Sequence, residues 1–538
     1  MASAPARTRT GLALAGLLLA CPAEDAARPD AAPSRGPPAA QPTARAAPST
    51  LVLGTTQEPA TLDPAFAVRS GAQAIVRLLY PDLTVFDDRG RVVPRLAATL
   101  PEVRSSSTGL EVSWTLRRGL RWSDGRPLTS EDVVFGHRIE TRPDLEAVNF
   151  DLARRVRRIE PLGPRRFRVD WQGNLRGVSD PRVHAVLPRH AYPDEGAVGA
   201  GGLGRGPAPS SGPYRVTAWR PGDRMVLEPN PHWPGPAPRI ARLVWRFLPS
   251  ADAFETELSA GSIDALGPAS GLGHEAAWRL GRRLEPSHVV EATPGGLLLQ
   301  LTPRLDDPVV GRRAVRAAID AALDRGRLVE LVYRGYARPA RGLFGPVHPA
   351  RPAPDPAASR ARPEAARALL EGLDRPVLTL GFASESAASG RAATVVQAQL
   401  EAVGFEVRMR ALPLRTLYAR LSAGQGTALT LFAWRTRPDW SGRALLRSDG
   451  RLNHAGYSRP EVDALLDRAA GTLDREAWVG LLRALDGWVR RDWPLIPLVF
   501  RDDVSIRPRD LEGWRPTGTT TPVTWNAERW RWREAGRR

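Results

Sequence analysis

The clearest alternation of apolar and polar positions lies in the stretch that ends with LFAW. Three segments have the pattern of strands, 376–382 (PVLTLGF), 405–411 (FEVRMRA) and 427–434 (TALTLFAW). Two segments between them have helical periodicity, 391–403 and 416–424. The first predicted helix places the following side chains near one face: Val395, Val396, Gln399, Leu400 and Val403. This order of elements with short links predicts βαβ units and a mainly parallel sheet.

Apolar patterns elsewhere predict further elements. Strands are expected at Leu51–Leu53, near 110–117, near 165–171 and as several strands within 214–248. The segment Ser123–Pro127 has the composition of a turn, and Thr129 is a suitable N-cap for a helix that begins near Ser130. A helix around 312–333 is expected to bury Val315, Ala318, Ile319 and Leu323, with Arg316 and Asp320 at i,i+4 spacing on it.

The N-terminal segment has the pattern of a targeting sequence. Arg7 and Arg9 precede a short apolar run that ends at Cys21, the only cysteine of the chain. The run is shorter than the ~20 residues that span a bilayer, but it suits a signal peptide. We therefore predict a lipoprotein signal peptide at 1–21 with Cys21 as the lipidated residue. A plain secretory signal with an incidental cysteine is the alternative.

Composition and length limit the class of protein. A chain of 538 residues predicts two or three domains, and residues 22–49, rich in Pro and Ala, predict a disordered tether. The net charge is +18, and all 76 basic residues are arginine, spread along the whole chain. No basic run alternates with aromatic residues as a groove for nucleic acid would require, so we expect no nucleic-acid partner. The charge favours anionic ligands.

No motif predicts catalysis, a cofactor or a metal site. The Gly-rich segment 199–204 fits G-x-G-x-x-G, but it does not lie between a clear strand and a helix. The eight histidines are scattered, and no nucleophile is paired with a base. We interpret the acidic pairs Asp87–Asp88 and Asp502–Asp503 as surface turns. The sequence therefore predicts a protein that is not an enzyme.

The residues after the apolar strand 427–434 are the candidate ligand site. Arg435, Arg437 and Asp439 follow Trp434 directly. In open α/β sheets, ligands bind beyond the carboxyl ends of the strands, so these residues are expected at the edge of a pocket. The alternative is a solvated turn in which Asp439 is a surface partner of Arg437.

A series of segments resembles one protein family. In chain order the segments are 61–67, 78–97, 112–135, 211–233, 257–266, 311–342, 456–469 and 490–498. The most specific are SDGRPLTSEDV (123–133), GPY (212–214) and VRAAID (315–320). Together they resemble the family 5 extracellular solute-binding proteins, the oligopeptide, dipeptide and nickel receptors of bacterial ABC importers. The resemblance covers about 51–515.

The resemblance implies an α/β fold of two lobes joined by a hinge, the large type II (cluster C) form of the periplasmic-binding-protein fold, with an additional domain. We expect lobe one at 50–84, 206–295 and 499–538, the additional domain at 85–205, and lobe two at 296–498. A solute is expected between the lobes. The expected partners are that solute and a permease, with the monomeric protein outside the cytoplasm and attached to a membrane only by its lipid anchor.

The resemblance also bears on the site residues. In peptide-binding relatives, an aspartate three residues after the tryptophan corresponding to Trp434 pairs with the α-ammonium of the peptide. This chain has Arg437 at that position, which suits a carboxylate or phosphate, although Asp439 is able to take the aspartate's role if the loop shifts. Glu58 lies in the N-terminal segment that lines the cleft in relatives. The ligand stays open between a peptide, a modified peptide, a metal chelate and an anionic solute.

Two other functions remain as alternatives. One is a receptor of the same fold that senses a ligand without a role in transport. The other, more remote, is a hydrolase, which would require a catalytic group of residues that the sequence does not reveal.

Overall fold

A computed structural model describes residues 50–533, apart from 67–69, 107–108, 146, 148–149, 174–183, 193–207, 354 and 356–358. The predicted signal peptide, Cys21, the tether and the Gly-rich segment lie outside the described residues. Among the helices in the described part of the chain, none combines the length and the apolar character that crossing a bilayer requires.

The α-helices are α1 (Ser70–Leu79), α2 (Ser130–Glu140), α3 (Phe150–Ala153), α4 (Ala253–Ser259), α5 (His274–Leu284), α6 (Arg313–Ala322), α7 (Arg325–Tyr333), α8 (Pro363–Leu369), α9 (Ala387–Glu401), α10 (Leu414–Ser422), α11 (Arg443–Leu446), α12 (Pro460–Gly471) and α13 (Arg475–Asp492).

The strands are β1 (Thr50–Thr55), β2 (Thr84–Phe86), β3 (Val92–Pro94), β4 (Glu102–Ser106), β5 (Gly109–Thr115), β6 (Val156–Pro161), β7 (Arg166–Gln172), β8 (Tyr214–Arg220), β9 (Arg224–Pro229), β10 (Arg242–Phe247), β11 (Ala265–Leu266), β12 (His288–Pro303), β13 (Ala337–Pro339), β14 (Val377–Ala383), β15 (Glu406–Leu412), β16 (Leu429–Arg435), β17 (Ile496–Pro508), β18 (Leu511–Glu512) and β19 (Arg531–Trp532).

One large sheet runs through both predicted lobes. Its strand order is β15-β14-β16-β12-β17-β11-β1-β10-β9-β8, and β13 pairs with β17 at an edge. The antiparallel strands β12 and β17 are the longest, and each begins in one half of the sheet and ends in the other. Their register shifts between Thr293 and Leu297. This irregular stretch is where the two halves join.

Two glycines allow the close chain approach at that junction. A Cβ at Gly295 would lie 2.5 Å from the carbonyl oxygen of Arg501, and one at Gly296 would lie 2.4 Å from that of Thr436. Real Cβ atoms do not approach so closely, so only glycine fits at these two positions. The segment Pro294–Gly296 is therefore the physical candidate for the hinge.

The predicted βαβ arrangement is confirmed. β14 pairs with both β15 and β16, and both pairings are parallel. The chain runs from β14 through α9 to β15 on one side, and then through α10 to β16 on the other side of β14. Helix α9 packs on one face of the sheet through residues such as Val396 and Leu400, whereas α10 packs on the opposite face through Leu417 and Leu421. A crevice therefore opens between the carboxyl ends of β14 and β16.

The additional domain, as predicted, would contain the four-stranded sheet β4-β5-β7-β6. Helix α2 begins at Ser130, as the sequence indicated, and its N-cap Thr129 donates its N–H to Asp132 Oδ2 (2.8 Å). A core that includes Trp114, Trp122 and Trp171 joins this sheet to the predicted lobe one. The boundaries of the three units remain a prediction.

The predicted single helix at 312–333 is wrong. The chain forms α6 and α7 with a break at Leu323–Asp324, where the Asp324 carboxylate accepts the N–H of Arg327 (2.9 Å) and caps α7. Arg316 and Asp320 do not pair either. Arg316 donates to the carbonyl oxygens of Val310, Gly311 and Asp492, and Asp320 binds other arginines. The capping carboxylate of Asp324 and the carbonyl groups that bind Arg316 thus override the local helical spacing.

Candidate ligand-binding crevice

The crevice at the carboxyl ends of β14 and β16 contains a small cavity of about 50 Å³. Its lining includes Tyr333 of α7, Glu385 and Ser386 after β14, Arg435 at the end of β16, and Arg501 of β17. All these residues except Tyr333 follow or end a strand of the sheet or lie on the junction strand β17. The position agrees with the general location of ligand sites in open α/β sheets.

Two helices begin at this crevice. The side chain of Ser386 caps α9 by accepting the N–H of Ser389 (3.1 Å). The carboxylate of Glu385 accepts the N–H of Leu414, the first residue of α10, with both oxygens at 2.9 Å. The N-terminal end of a helix carries a partial positive charge, so this side of the crevice favours negatively charged groups.

Arg435 forms an ion pair with Asp503 of β17. Its two terminal nitrogens each lie 3.3 Å from one oxygen of the Asp503 carboxylate. The two side chains are only 13% and 16% exposed. The pair joins the end of β16 to the junction strand, and it places one positive and one negative group at the crevice with balanced charge.

Arg501 lies next to His274, the first residue of α5, which belongs to the predicted lobe one. The Nε2 atom of His274 lies 2.9 Å from the carbonyl oxygen of Asp502, so Nε2 carries the proton and donates to it. The Nδ1 atom is then the acceptor that faces Arg501 Nη2 at 3.5 Å. Burial, followed by the nearby Arg501 cation, lowers the pKa of His274 to about 3, so the ring is neutral at neutral pH.

Arg437 and Asp439 form a second ion pair beyond the end of β16. Arg437 Nε lies 3.2 Å from Asp439 Oδ1, and the side chains are 20% and 17% exposed. Thr436 anchors the loop, because both its N–H and its hydroxyl donate to the carbonyl oxygen of Gly296 (2.7 and 2.9 Å). The loop is thus fastened to the candidate hinge, and the pair is largely buried rather than an exposed surface pair.

The sequence also predicted Trp434 and Glu58 as site residues, and they contact aromatic rings and hydrogen-bond donors, respectively. The ring of Trp434 is 5% exposed and contacts Phe432 and His454, with centroid distances of 4.9 and 5.9 Å. It packs on the opposite face of the sheet from Arg435. Glu58 accepts hydrogen bonds from Trp219 Nε1 (2.8 Å) and the N–H of Gly222 (3.0 Å), which lie at the β8–β9 hairpin.

The sequence analysis missed several crevice residues, and its interpretation of Asp502–Asp503 as a surface turn is wrong. Both residues belong to β17, and Asp502 is 5% exposed. Asp87 is also buried, at 5% exposure. The apolar run LIPLVF at 495–500 was the signal available for a strand, since a strand of that kind can extend into the charged residues that follow. The pairing of Asp503 with Arg435 has no local sequence signal.

The side chains of the crevice are suited to binding charged groups of a ligand. The guanidinium groups of Arg435 and Arg501 and the N-terminus of α9 favour anions, whereas the carboxylate of Glu385 and that of Asp503, which pairs with Arg435, favour cations. Among the described residues, no three His, Cys, Asp or Glu side chains come together to hold a metal ion.

Comparison with known proteins identifies the family. Residues 91–450 match the family model of the bacterial extracellular solute-binding proteins, family 5. The glutathione-binding protein GsiB of Salmonella choleraesuis is 24% identical over 478 residues, which cover 84% of this chain and 89% of GsiB.

Solved structures have the same fold. The ABC transporter substrate-binding protein CtaP of Listeria monocytogenes matches with a TM-score of 0.78 at 19% identity, over 90% of this chain and 99% of CtaP. The oligopeptide-binding protein AppA of Bacillus subtilis, in complex with a nonapeptide, matches with a TM-score of 0.70 at 20% identity, over 90% of this chain and 99% of AppA. The α/β periplasmic-binding-protein fold expected from the sequence is confirmed. The chain belongs to the bacterial extracellular solute-binding proteins of family 5, the substrate-binding proteins of ABC importers.

Proposed function

We propose that this importer receptor captures a zwitterionic, peptide-like solute in the crevice between β14 and β16. The observation that carries the proposal is the Arg435–Asp503 ion pair at this crevice, beside the junction of the two halves of the sheet. A zwitterion brings one carboxylate and one ammonium. Each group of the ligand replaces one member of the protein's own pair, so neither Arg435 nor Asp503 is left unpaired when the ligand binds.

The carboxylate of the ligand is expected on the arginine side of the crevice. Arg435 and Arg501 both line the cavity, and helix α9 begins there. Hydrogen bonds from a guanidinium to a carboxylate are charge-assisted and strong. The ammonium group is then expected at a carboxylate, either Asp503 or Asp439. Arg437, whose partner is Asp439, is expected to contact a ligand anion when that pair opens.

The size of the cavity requires movement. A space of about 50 Å³ holds water molecules but not a peptide. The two halves of the sheet therefore have to separate for loading, and the irregular stretch Thr293–Leu297 is suited to that movement. Closure of the lobes on the ligand is then the signal for the permease.

Relatives support the ligand class. GsiB is a glutathione-binding protein, and AppA was solved with a nonapeptide. Both ligands are peptides, which carry ammonium and carboxylate groups. We further propose that Cys21 is lipidated, that residues 22–49 tether the monomeric receptor to the outer side of a membrane, and that Glu58 and Trp434 line or support the cleft.

Blocked peptides provide the test. Native mass spectrometry of the purified protein first identifies a co-purified ligand, and calorimetry then compares that ligand with N-acetylated and C-amidated forms. Each block removes one charge, and we expect each to weaken binding by about ten- to a hundredfold. In Arg435→Gln, amidation of the carboxylate should cost clearly less than in the wild type. Equal affinity for the free and the doubly blocked ligand would contradict the proposal.

A further inference from the structure

The turn between β2 and β3 touches two segments of the predicted lobe two. Gly90, in this turn, is buried, although the residues on either side of it are exposed. A Cβ at Gly90 would lie 3.1 Å from the carbonyl oxygen of Val347 and 3.5 Å from Cγ of Pro438. Gly90 also has a φ of +70°, which glycine adopts without strain. The backbone of the turn is therefore in direct contact with the chain at Val347 and Pro438.

The carboxylate of Asp87 holds the turn in one shape. Asp87 is 5% exposed, and its Oδ1 atom accepts the main-chain N–H groups of Arg89 (3.0 Å) and Arg91 (2.9 Å). The N–H of Gly90 donates to the carbonyl oxygen of Asp87 (3.0 Å). These three N–H groups are thus satisfied inside the turn. Separation of the turn from Val347 leaves none of them unpaired, so it avoids the cost of an unmade hydrogen bond.

The β2–β3 hairpin is fastened to the C-terminal segment 499–538, which belongs to the predicted lobe one. The N–H of Phe86 donates to the hydroxyl oxygen of Thr521 (2.9 Å). At the turn itself, Asp88 Oδ2 lies 3.6 Å from Arg515 Nη1. We therefore expect the turn to move together with the predicted lobe one.

The two segments that receive the turn are fastened to each other. His348 is 2% exposed, and its Nδ1 atom accepts the N–H of Ala350 (3.0 Å). Its Nε2 atom then carries the proton and donates to the carbonyl oxygen of Trp440 (2.9 Å). This bond joins the segment that contains Val347 to the loop that contains Pro438. Both sides of the contact at Gly90 are thus held in shape by bonds of their own.

The contact lies at a cavity of about 1710 Å³ that is lined from both predicted lobes. The lining includes Gly90 on one side, Val347 on the other and Pro294 of the candidate hinge. A rotation about the segment Pro294–Gly296 would change the distance between the two sides. It would therefore make or break the contact at Gly90.

We propose that the β2–β3 turn is a latch, which engages Val347 and Pro438 when the lobes close and separates from them when the lobes open. Pro438 lies between Arg437 and Asp439, the ion pair expected to open when a solute binds. The latch and the solute therefore act on the same loop. The proposal rests on the lobe closure proposed above, but it depends neither on the identity of the solute nor on the crevice that binds it.

A disulfide across the contact provides the test. A Cβ at Gly90 would lie 3.6 Å from the Cβ of Val347, and disulfides join Cβ atoms that are about 3.5–4.5 Å apart. The full chain carries Gly90→Cys/Val347→Cys together with Cys21→Ser, which removes the only native cysteine. Bound solutes are removed by unfolding and refolding, and small-angle scattering compares the oxidised with the reduced protein. We expect one intramolecular disulfide and a smaller radius of gyration in the oxidised protein, because the disulfide holds the lobes closed.

The matched controls are the single variants Gly90→Cys and Val347→Cys in the same background, whose radius of gyration should not change on oxidation. The latch is overturned if the double variant forms no disulfide. It is also overturned if the disulfide forms and the radius of gyration stays the same, since the contact is then permanent. If the disulfide compacts the protein while the blocked peptides bind as well as the free ones, the crevice proposal fails and the latch stands.

A second pair covers the case in which Gly90→Cys does not fold, because that variant places a side chain at a positive φ. Thermal melting of the single variant checks its fold. Arg89→Cys/Val347→Cys keeps the glycine, and a short bismaleimide then joins the two thiols. Compaction on cross-linking supports the latch, and failure to cross-link or to compact overturns it.

Discussion

Arg435 and Asp503 are 68 residues apart in the chain, and their side chains meet through two N–H···O contacts of 3.3 Å at the end of β16. The pair connects the candidate crevice to β17, the strand that crosses from one half of the sheet to the other. A ligand that competes for either partner therefore acts directly on the junction. We expect binding of a charged solute to change the relative position of the two predicted lobes by this route.

Arg437 is the first site for mutation. We expect Arg437→Ala to weaken binding of an anionic or zwitterionic ligand by about 1.5–3 kcal/mol, since a charge-assisted hydrogen bond is lost and Asp439 is left without that partner. Arg437→Asp should weaken the binding of an anionic ligand further, or increase the affinity for peptides with a free amine. Calorimetry measures the affinity, and melting checks the fold. Arg420→Ala on α10 is a control, and unchanged affinity in Arg437→Ala would assign the loop a structural role.

Lobe closure is testable in solution. Saturation with the true ligand should reduce the radius of gyration measured by small-angle scattering, because the halves close over the crevice. The melting temperature should rise with ligand concentration, as linkage requires. Full occupancy without compaction would contradict closure.

The anchor prediction concerns a residue outside the described part of the chain. Cys21→Ser removes the thiol that lipidation requires, so the protein should move from the membrane fraction to the soluble fraction. Fractionation with a carbonate wash measures the distribution. Retention of the variant on the membrane after the wash would rule out Cys21 as the anchor.

Stability should depend on pH through buried histidines. His184 lies among Trp114, Phe167 and Trp171, and burial, followed by the charge of His137, lowers its pKa to about 3 from the ordinary 6.5. The folded state thus binds fewer protons than the unfolded state between these values. Stability is therefore full above pH 6.5 and falls as the pH drops from 6.5 towards 3.

Each such histidine contributes a slope of about 1.4 kcal/mol per pH unit in that window. Urea unfolding of His184→Leu at several pH values should show a free energy of unfolding that falls less steeply below pH 6.5 than in the wild type. His232→Leu, at a partly exposed histidine, is the control. Equal slopes for the wild type and His184→Leu would mean that His184 does not resist protonation.

Asp320 is expected to be important for stability. Asp320→Asn leaves the fully buried Arg325 without its counter-ion, which typically costs about 3–5 kcal/mol. Asp324→Asn, four residues on, changes only a helix cap that asparagine also supplies, so its cost should be well below 1 kcal/mol. Urea unfolding compares the two variants. Similar costs would show that Asp320 does not balance the charge of Arg325.

Local periodicity determined a large part of the fold. The strand and helix patterns from residue 376 to 435 predicted β14, α9, β15, α10 and β16 within a few residues, because burial on one face repeats at fixed intervals in each element. The same pattern placed Arg435, Arg437 and Asp439 at the carboxyl end of a buried strand. The resemblance to the family depended most on three short segments between residues 123 and 320.

Only the tertiary structure decided which charged groups meet. Asp503 was assigned to the surface, yet β17 lies beside β12 and brings it to Arg435. The predicted helix at 312–333 breaks because Asp324 caps a new helix, and Arg316 binds the carbonyl group of Asp492, 176 residues away. A sequence pattern reports how one segment is buried. The partner of a buried charge depends on which distant strands are neighbours, and that is settled only when the whole sheet forms.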